Sequence, residues 1–388
     1  MNGENKPKLL VTASTFPRWA GDTEPRFVLD LCVALKKYFD ITVLVPAAPG
    51  AKDREILEGV NVIRYHYFPI HKLETLCYPG AIVPRIKQKK IRVILVPFLF
   101  IGLWYKLMRI SKQYDYVHAH WLIPQGIVQS FFHTPYLVTG HGGDVVSLNK
   151  GIIKKLKSRC LKNAKKITVV SKALEEKVKK LAPDVEVQVL SMGCDTSKFG
   201  KIHHKDNYFQ QNEKKVVLFV GRLAEIKGVT YLIEAMKNVD AKLVIVGNGP
   251  LRKELERQAE EQEDKIVFLD SKSHAELPEI YASADLFVGP SVTAKDGAKE
   301  GLGLVFLEAM ASGIPVIGSN SGGIPEIIKD GVNGFLVEER DSINLAKRIN
   351  EILKSEELCN QFIENGLKTA AERDYKNIAQ KYAEIILS

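Results

Sequence analysis

The chain has 388 residues, of which 45% are hydrophobic and 26% charged, and its formal net charge is +9. This composition excludes a disordered or fibrous protein, and the length is too great for one ordinary hydrophobic core, so we expect two domains. The charge is uneven, because residues 1–195 carry 30 basic and 16 acidic side chains, whereas the remainder carries 25 and 30.

The start of the chain and the cysteines bear on location. A short apolar run near the N-terminus passes quickly into loop residues, which is not the pattern of a signal peptide. The cysteines are odd in number and scattered, without the paired spacing of a metal site: Cys32, Cys77, Cys160, Cys194 and Cys359. We therefore expect buried thiols in a reducing cytoplasm.

Short β-rich apolar runs alternate with amphipathic, helix-like segments along both halves of the chain. They lie at 8–14, 41–47, 116–121, 135–142 and 165–171, and again at 215–222, 242–249, 265–270, 285–291 and 314–319. Such alternation predicts parallel sheets covered on both faces, hence two doubly wound α/β domains. We place them at 1–199 and 200–372, with the polar stretch 200–215 as the linker. Ligands of such folds bind beyond the carboxyl ends of the strands, which predicts a site in the cleft between the domains.

The first half combines basic clusters with an apolar segment. The clusters lie at 84–90 and 150–166, and the run "VILVPFLFIGLWY" at 93–105 is apolar but too short to span a bilayer. Basic charge beside apolar and aromatic residues indicates contact with an anionic membrane surface. A core helix flanked by solvated lysines accounts for the pattern equally well. Nucleic acid is not favoured as a partner, since no recognisable binding module accompanies the charge.

The loop after the first strand of the second domain, "GRLAEIKG" at 221–228, contains two cations. Arg222 can bind a diphosphate as a fork and Lys227 as a point charge. Gly221 and Gly228 would allow close approach of the backbone. An ordinary basic loop is the alternative for this motif taken alone.

The stretch "KEGLGLVFLEAM" at 299–310 places Glu300 and Glu308 around a glycine-punctuated apolar run. If Gly301 to Leu304 form the first turn of a helix, their backbone N–H groups provide a second anion site. The carboxylates can accept hydrogen bonds from the hydroxyls of a sugar and a ribose, as a nucleotide sugar would require. Alternatively, Glu300 only complements the helix dipole and Glu308 is a solvated surface residue.

Several segments together resemble the retaining GT-B glycosyltransferases of family 4. In the second half these are "GRLAEIKG", "VGNGP", "HAELPEIYASADLFVGPS", "EGLGLVFLEAMASGIPVIGSNSGGIPEII" and "DGVNGFLV". The first half is similar but looser, with "VHAHW", "TGHGGD" and "MGCDTSKF". The resemblance implies a GT-B fold, in which two Rossmann-like domains face each other across a cleft and a last helix, about 373–388, packs back on the first domain.

The resemblance also implies roles in donor binding. Arg222 and Lys227 would hold the donor diphosphate, Glu300 the hydroxyls of the transferred sugar and Glu308 the ribose. The backbone of Gly301, Leu302, Gly303 and Leu304 would help to hold the phosphates, together with Gly221. Base recognition would fall near Gly247, Asn248, Asp270 and Ser271. Asp270 stands where many relatives have glycine, which leaves the base open between UDP and GDP donors.

In the first half, His141 matches the active-site histidine of the family, which reaches the donor sugar near its anomeric carbon. His120 and Asp144 are expected on the acceptor side, His120 in an acceptor or structural role and Asp144 to orient either the acceptor or the loop. Although His118 and His120 share one face of a strand, no third metal ligand is evident. The loop after the first strand normally carries two adjacent glycines that approach the diphosphate or the acceptor. Here it has Ala20 and Gly21.

The sequence therefore predicts a retaining sugar transferase that uses a nucleotide-diphosphate sugar and needs no metal or other cofactor. A nucleotide-sugar epimerase and a non-catalytic nucleotide-sugar-binding or scaffold protein are the alternatives. A nicotinamide-dependent dehydrogenase is disfavoured because no Gly-x-Gly-x-x-Gly follows the first strand. The expected acceptor is a lipid-linked or surface-glycan precursor, with a soluble acceptor as the alternative. The expected location is cytoplasmic and peripheral on the inner face of the cell membrane.

Overall fold

The computed structural model describes residues 6–80, 82–210, 214–295 and 297–388. The chain forms two compact units. The first comprises Met1–Met192 and Tyr375–Ser388, and the second comprises Gly193–Asp374. Both are built on a sheet that is wholly or almost wholly parallel, as the alternating apolar runs predict.

The first unit contains an eight-stranded sheet in the order β3-β4-β2-β1-β5-β6-β7-β8. Only β3, which pairs with β4, is antiparallel. The strands are β1 Lys8–Thr12, β2 Asp40–Pro46, β3 Arg54–Leu57, β4 Val60–Tyr65, β5 Tyr116–His120, β6 Tyr136–Gly140, β7 Lys166–Val169 and β8 Gln188–Val189. Strands β5 and β6 lie side by side with His120 opposite Thr139, so their carboxyl ends meet at one edge.

Within the described residues of the first unit, seven helices connect these strands. They are α1 Phe27–Leu35, α2 Ile82–Gln88, α3 Leu95–Ile110, α4 Ile127–Gln129, α5 Gly143–Val146, α6 Gly151–Asn163 and α7 Lys172–Leu181. The short helix α5 begins two residues after His141, so the histidine lies in the turn between β6 and α5.

Helix α3 and the 3₁₀ turns at its ends form one continuous helical segment, Lys90–Gln113. With 24 residues it is long and apolar enough to cross a membrane, so the expectation from 93–105 alone, that the segment is too short, is wrong. Core helices of soluble proteins meet the same criterion, but only 28% of this helix's apolar window is buried. The low burial argues against the core-helix interpretation.

The second unit contains a six-stranded parallel sheet in the order β11-β10-β9-β12-β13-β14. Its strands are β9 Val216–Val220, β10 Lys242–Val246, β11 Ile266–Leu269, β12 Leu286–Gly289, β13 Val316–Ser319 and β14 Phe335–Val337. Its helices are α8 Val229–Ala235, α9 Arg252–Ala259, α10 Leu277–Ala282, α11 Leu304–Ala311, α12 Ser342–Lys354 and α13 Glu356–Glu372. The strands β9 and β12 are neighbours at the centre, which brings their following loops to the same edge.

The last helix, α14 Tyr375–Leu387, belongs to the first unit, where it packs against α1. Tyr382 is completely buried there, 5.3 Å from the ring of His118, and its hydroxyl donates to the carbonyl of Leu190. The Tyr375 hydroxyl donates to the carbonyl of Phe27.

The structure places the boundary between units at Met192, whereas the sequence analysis places it at residue 199. The difference arises because residues from Gly193 onward bond within the second unit. The backbones of Cys194 and Asp374 form an isolated parallel β-bridge. Thr196 donates from both its amide and its hydroxyl to the carboxylate of Asp374.

The predicted linker, 200–215, is also attached to the second unit over most of its length. It contains a 3₁₀ turn, Lys201–His203, and the buried side chain of Phe209. The ammonium of Lys242 donates to the carbonyls of Phe209 and Gln210. Residues 211–213 lie outside the described part of the chain.

Candidate functional site

In the second unit, the loop after β9 holds the two predicted diphosphate-binding cations. Arg222 is exposed, and its guanidinium has no hydrogen-bond partner in the described part of the chain. Lys227 lies in a 3₁₀ turn that ends at Gly228, whose φ is +61°. A Cβ at Gly228 would collide with the carbonyl oxygen of Pro290, so the loop is pressed against the end of β12.

Lys227 and Glu300 form a direct ion pair. The Nζ of Lys227 lies 2.5 Å from Oε2 of Glu300, and both side chains are partly buried, at 21% and 16% exposure. The structure therefore brings together the loops after β9 and β12, which carry the two predicted anion sites. The two side chains assigned to the diphosphate and the sugar are in contact.

The helix after Glu300 begins later than predicted. Gly303 has a φ of +81°, which a helical residue does not adopt, and α11 starts at Leu304. The expectation that Gly301 to Leu304 form the first turn is therefore wrong, and Gly301, Leu302 and Gly303 lie in the loop before it. No side chain of the described residues caps the N-terminus of α11. Its backbone N–H groups thus remain a candidate anion site, displaced by one turn from the prediction.

The loop after β13 supports Glu300 by backbone contact. The amide of Gly323 donates to the carbonyl of Glu300 at 3.1 Å. A Cβ at Gly322 would collide with the carbonyl oxygen of Glu300, and one at Gly323 with that of Gly301. Both glycines belong to the segment 300–328 that resembles the family, but no role is predicted for them from the sequence.

Glu308 is not a solvated surface residue, because its side chain is only 12% exposed. The hydroxyl of Tyr281 donates to its Oε2 at 2.9 Å, and Nε2 of His274 lies 3.4 Å from its Oε1. Burial, followed by the neighbouring carboxylate, raises the pKa of Tyr281 well above its usual value. Tyr281 and His274 are therefore supporting residues that the sequence analysis missed.

The loops expected to bind the base lie at the carboxyl ends of β10 and β11. The amide of Gly247 donates to the carbonyl of Leu269, and a Cβ at Gly247 would collide with the carbonyl oxygen of Gly221. Asn248, Asp270 and Ser271 are exposed at this edge.

Arg252 joins these two loops, which the sequence analysis did not predict. Its Nη1 donates to the carbonyls of Gly247 at 3.1 Å and Leu269 at 3.2 Å, and lies 3.6 Å from Oδ1 of Asp270. The same guanidinium lies over the ring of Phe268. Arg252 is the first residue of α9, so no local motif marks it as a neighbour of β11.

Glu339 joins the loops after β12 and β13. It accepts hydrogen bonds from the amide and hydroxyl of Thr293, both at 2.7 Å, and one from the hydroxyl of Ser321 at 2.5 Å. Burial opposes ionisation, but the hydrogen bonds from Ser321 and Thr293 lower the pKa of Glu339 overall. The ionised carboxylate thus fixes the segments on either side of Glu300.

In the first unit, His141 lies at the carboxyl end of β6 among aromatic rings. Its Nε2 is 2.9 Å from Nδ1 of His120, so one nitrogen donates to the other. The rings of Phe27 and Trp121 lie 5.2 and 4.9 Å from its ring. Burial lowers the pKa of His141 to about 3, so the imidazole is neutral at physiological pH.

His118 and His120 lie on one face of β5, as predicted, with ring centroids 4.1 Å apart. Both are completely buried, and His118 bonds through Nε2 to the hydroxyl of Thr139 at 2.7 Å. In the described ranges, no group of three His, Cys, Asp or Glu residues could hold a metal ion. Because His120 lies buried behind His141, its predicted acceptor-side role would be indirect.

Asp144 connects the turns after β5 and β6. Its Oδ1 accepts from the amides of His141 at 3.1 Å and Gly142 at 2.9 Å, and its Oδ2 accepts from the amide of Leu122 at 2.8 Å. Burial raises the pKa of Asp144 against these amides and the nearby Lys157, which favour the charged form. These bonds assign Asp144 to loop orientation.

Gly21 lies in the loop after β1, with a φ of +80° that favours glycine. Arg18 and Asp22 form an ion pair at 2.7 Å across this turn, and Arg18 lies over the ring of Trp19. Gly21 belongs to the first unit, whereas the other predicted donor-binding residues belong to the second.

Comparison with known proteins places this arrangement in a family. Residues 25–198 match the family described as Glycosyltransferase Family 4, and residues 201–369 match Glycosyl transferases group 1. An uncharacterised glycosyltransferase of Methanocaldococcus jannaschii is 31% identical over 298 residues, covering 70% of this chain and 75% of that protein. A GDP-mannose-dependent alpha-(1-6)-phosphatidylinositol monomannoside mannosyltransferase of Mycobacterium tuberculosis is 34% identical over 184 residues, covering 44% and 48%.

Among solved structures, Anabaena HepE in complex with UDP and glucose aligns with a TM-score of 0.74 at 22% identity, covering 97% of this chain and 98% of that chain. The fold is therefore GT-B, as predicted, with two α/β units built on parallel sheets. From both family matches and the Methanocaldococcus relative, the chain belongs to the group 1, family 4 glycosyltransferases.

Proposed function

We propose that this glycosyltransferase takes its sugar from a nucleotide-diphosphate sugar and transfers it with retention of the anomeric configuration. The observation that carries the proposal is the contact between Lys227 and Glu300, at the carboxyl ends of neighbouring strands and just ahead of α11. A cation for the diphosphate and a carboxylate for sugar hydroxyls are thus held side by side. The UDP and glucose bound to HepE agree with such a donor.

In the proposed reaction the bond between the anomeric carbon and the diphosphate breaks while the acceptor hydroxyl attacks from the same face. The leaving diphosphate oxygen takes the acceptor proton. Arg222, Lys227 and the N-terminus of α11 stabilise the negative charge that develops on the diphosphate. This charge stabilisation requires no metal, and we propose none.

His141 is the proposed contact of the transferred sugar in the first unit. Its neutral imidazole can form a hydrogen bond without placing a positive charge near an oxocarbenium-like transition state. Glu308 is the proposed ribose ligand. The base would be read at Asn248, Asp270 and Ser271.

The first experiment is a thermal-shift panel of UDP-, GDP- and ADP-sugars on the purified protein. A ligand that binds only the folded state stabilises it by about 2.7 kcal/mol at a hundred times its Kd. One donor should raise Tm in the wild type and in Arg257→Ala, which changes an exposed arginine of α9. The shift should be lost in Arg222→Ala.

Two outcomes would oppose the proposal. Equal stabilisation of Arg222→Ala would show that the donor does not bind at the loop after β9. No stabilisation by any donor, at concentrations far above ordinary affinities, would favour a non-catalytic scaffold. A donor that stabilises the protein and also yields a glycosylated product identifies the enzyme's substrate.

We further propose that the protein works at the cytoplasmic face of an anionic membrane, on a lipid-linked acceptor. The support is one face of the helical segment Lys90–Gln113. Leucines at four-residue spacing, 95, 99, 103 and 107, are buried against the first unit. Large apolar side chains on the remaining surface are exposed: Ile91, Val93, Ile94, Phe98, Ile101, Trp104, Tyr105 and Met108.

The face of the helix that carries the four buried leucines determines which orientation the helix can take at a bilayer. Gly102 also packs closely against the backbone of Tyr67, because a Cβ added at Gly102 would lie only 3.0 Å from the Cα of Tyr67. A helix held along one side by its own unit can insert its outer face into a membrane surface but cannot cross it. Exposed cations at Lys89, Lys90 and Lys112 lie at its two ends, where they would meet anionic headgroups. The lipid acceptor named for the Mycobacterium relative agrees with this location.

Vesicle sedimentation tests the surface. The protein should bind vesicles that contain anionic lipid, less so at high salt, and Ile101→Asp should weaken binding. Ile343→Asp is the matched control, because Ile343 is 80% exposed in the second unit. Salt-independent failure to pellet, or equal binding by Ile101→Asp, would exclude this surface.

A further inference from the structure

Lys157 is a lysine buried within the first unit. It lies on α6, and its side chain has no exposed surface. The three donors of its ammonium are directed at three oxygens: the carbonyls of Val145 at 2.7 Å and Ser147 at 2.9 Å, and Oδ1 of Asn149 at 2.5 Å. Removing one partner from such a buried group leaves unpaired polar atoms, so these bonds specify one geometry.

The acceptors all belong to the segment that follows His141. Asn149 also bonds within this segment, since its side-chain nitrogen Nδ2 donates to the carbonyls of Val145 and Val146. The side chain of Val145 is buried against Gly140, where a Cβ would collide with it. The ammonium of Lys157 therefore fixes residues 145–149 through three hydrogen bonds, while the carboxylate of Asp144 fixes the turn at His141.

We infer that Lys157 is a positioning residue for the reaction, which fixes the 141–149 loop and through it the orientation of His141. The inference rests on the proposed role of His141. Lys157 does not contact His141 directly. It determines where the segment after Asp144 lies, and Asp144 carries that position to the amides of His141 and Gly142.

The charge of Lys157 matters to this contact. Burial lowers the pKa of Lys157 to about 8. The titratable groups that face it are the carboxyl of Asp144, which opposes the shift, and the thiol of Cys160 on the same helix, whose own pKa burial raises to about 12. A neutral amine has two N–H donors for three acceptors, so the loop should loosen as pH rises above 8. Because the pKa is lower in the folded state, the unfolded chain binds more protons between about pH 8 and 10.5, so this group makes the free energy of unfolding rise with pH over that range.

The test compares Lys157→Met with Lys154→Met, an exposed lysine one turn away on α6. Lys157→Met should lower kcat about tenfold to a hundredfold, the scale of a misplaced catalytic group, with little change in donor KM. Hydrogen exchange of the 141–149 amides should accelerate in this variant alone. Wild-type kcat should fall above pH 8 without a fall in Tm that Lys157 would explain, and the variant should lack that decline in kcat.

Donor-induced stabilisation should persist in Lys157→Met, so loss of the donor site and loss of loop position are distinguishable. Loop protection needs no substrate, and unchanged protection would overturn the inference whatever the activity. If Lys157→Met does not fold, Asn149→Ala removes one acceptor and should give a smaller change in the same direction. Full activity and protection in Asn149→Ala would then refute the inference.

Discussion

At the scale of single residues, Glu300 is the most direct test of the proposed chemistry. Glu300→Gln keeps the side-chain size but removes the charge that faces Lys227. We expect transfer to fall at least about a hundredfold, since a group aimed at the reacting sugar is worth that much. Tm should stay near that of the wild type.

The measurement is an initial rate with the donor found in the thermal-shift panel. Glu351→Gln provides the control, because it removes a carboxylate from an exposed ion pair with Arg348 that contributes little to stability. A fully active Glu300→Gln protein would refute the assigned sugar contact.

The buried histidines predict a dependence of stability on pH. Burial lowers the pKa of His118 and of His141 to about 3, and that of His120 well below its usual value. In the unfolded chain these groups bind protons below about pH 6.5, whereas in the folded protein they do not. The free energy of unfolding should therefore decrease as the pH is lowered below about 6.5, by up to about 1.4 kcal/mol per pH unit for each histidine.

Urea unfolding at several pH values between 7.5 and 4.5 measures this dependence. His118→Gln should flatten the curve relative to the wild type, whereas His133→Gln, at an exposed position, should leave its slope unchanged. An unchanged slope in His118→Gln would mean that His118 is protonated in the folded protein.

The sequence predicts the residues that we propose as ligand contacts better than the residues that hold them in place. Arg222, Lys227 and Glu300 lie in the loops that follow β9 and β12, and their type and spacing indicate their chemistry. Arg252 and Glu339 instead connect loops that are distant along the chain, and any exposed helix or loop could contain such residues. Their roles depend on tertiary contacts, which no local pattern records.

At the scale of elements, the backbone contact behind Glu300 gives a further prediction. Gly322→Ala should displace the carbonyl of Glu300 and weaken donor binding, with a loss of roughly 1 to 3 kcal/mol in stability from overpacking and backbone strain. Gly331→Ala is the matched control, since Gly331 also has a positive φ, +72°, but faces open space.

Thermal unfolding and donor titration of both variants separate the two effects. Backbone strain should lower Tm in both, whereas the loss of donor affinity should occur only in Gly322→Ala. Equal donor affinity in the two variants would show that the loop after β13 does not position Glu300.

The two elements predicted least well are both helices whose ends differ from the apolar run. In α11, the left-handed Gly303 delays the first turn to Leu304. In the segment Lys90–Gln113, charged residues at both ends interrupt the run of apolar residues, yet the helical structure continues through them. Periodicity indicates where a helix buries its face but does not locate its ends.

At the scale of the whole molecule, the sequence predicts the two parallel-sheet units because each strand is a continuous apolar run. It does not predict the boundary, because Gly193–Phe199 has the composition of a connecting loop. The tertiary contacts of Cys194 and Thr196 with Asp374 show that this stretch belongs to the second unit.

The last helix provides a test at this scale. Tyr382→Ala removes a fully buried ring from the first unit and should destabilise that unit by about 3 kcal/mol or more. Leu387→Ala, at a 47% exposed position of the same helix, should have little effect. Calorimetry measures the overall loss of stability, and hydrogen exchange shows in which unit protection is lost. Equal loss of protection in both units would contradict the assignment of α14 to the first unit.

The position of α14 also affects synthesis of the chain. The first unit is translated up to Met192, but its last helix follows the whole of the second unit. At ordinary rates of translation the helix reaches the ribosome exit roughly 10 to 40 s later. During that interval the site that receives Tyr382, beside His118, lacks its cover, and the nascent first unit exposes an apolar surface that chaperones can bind.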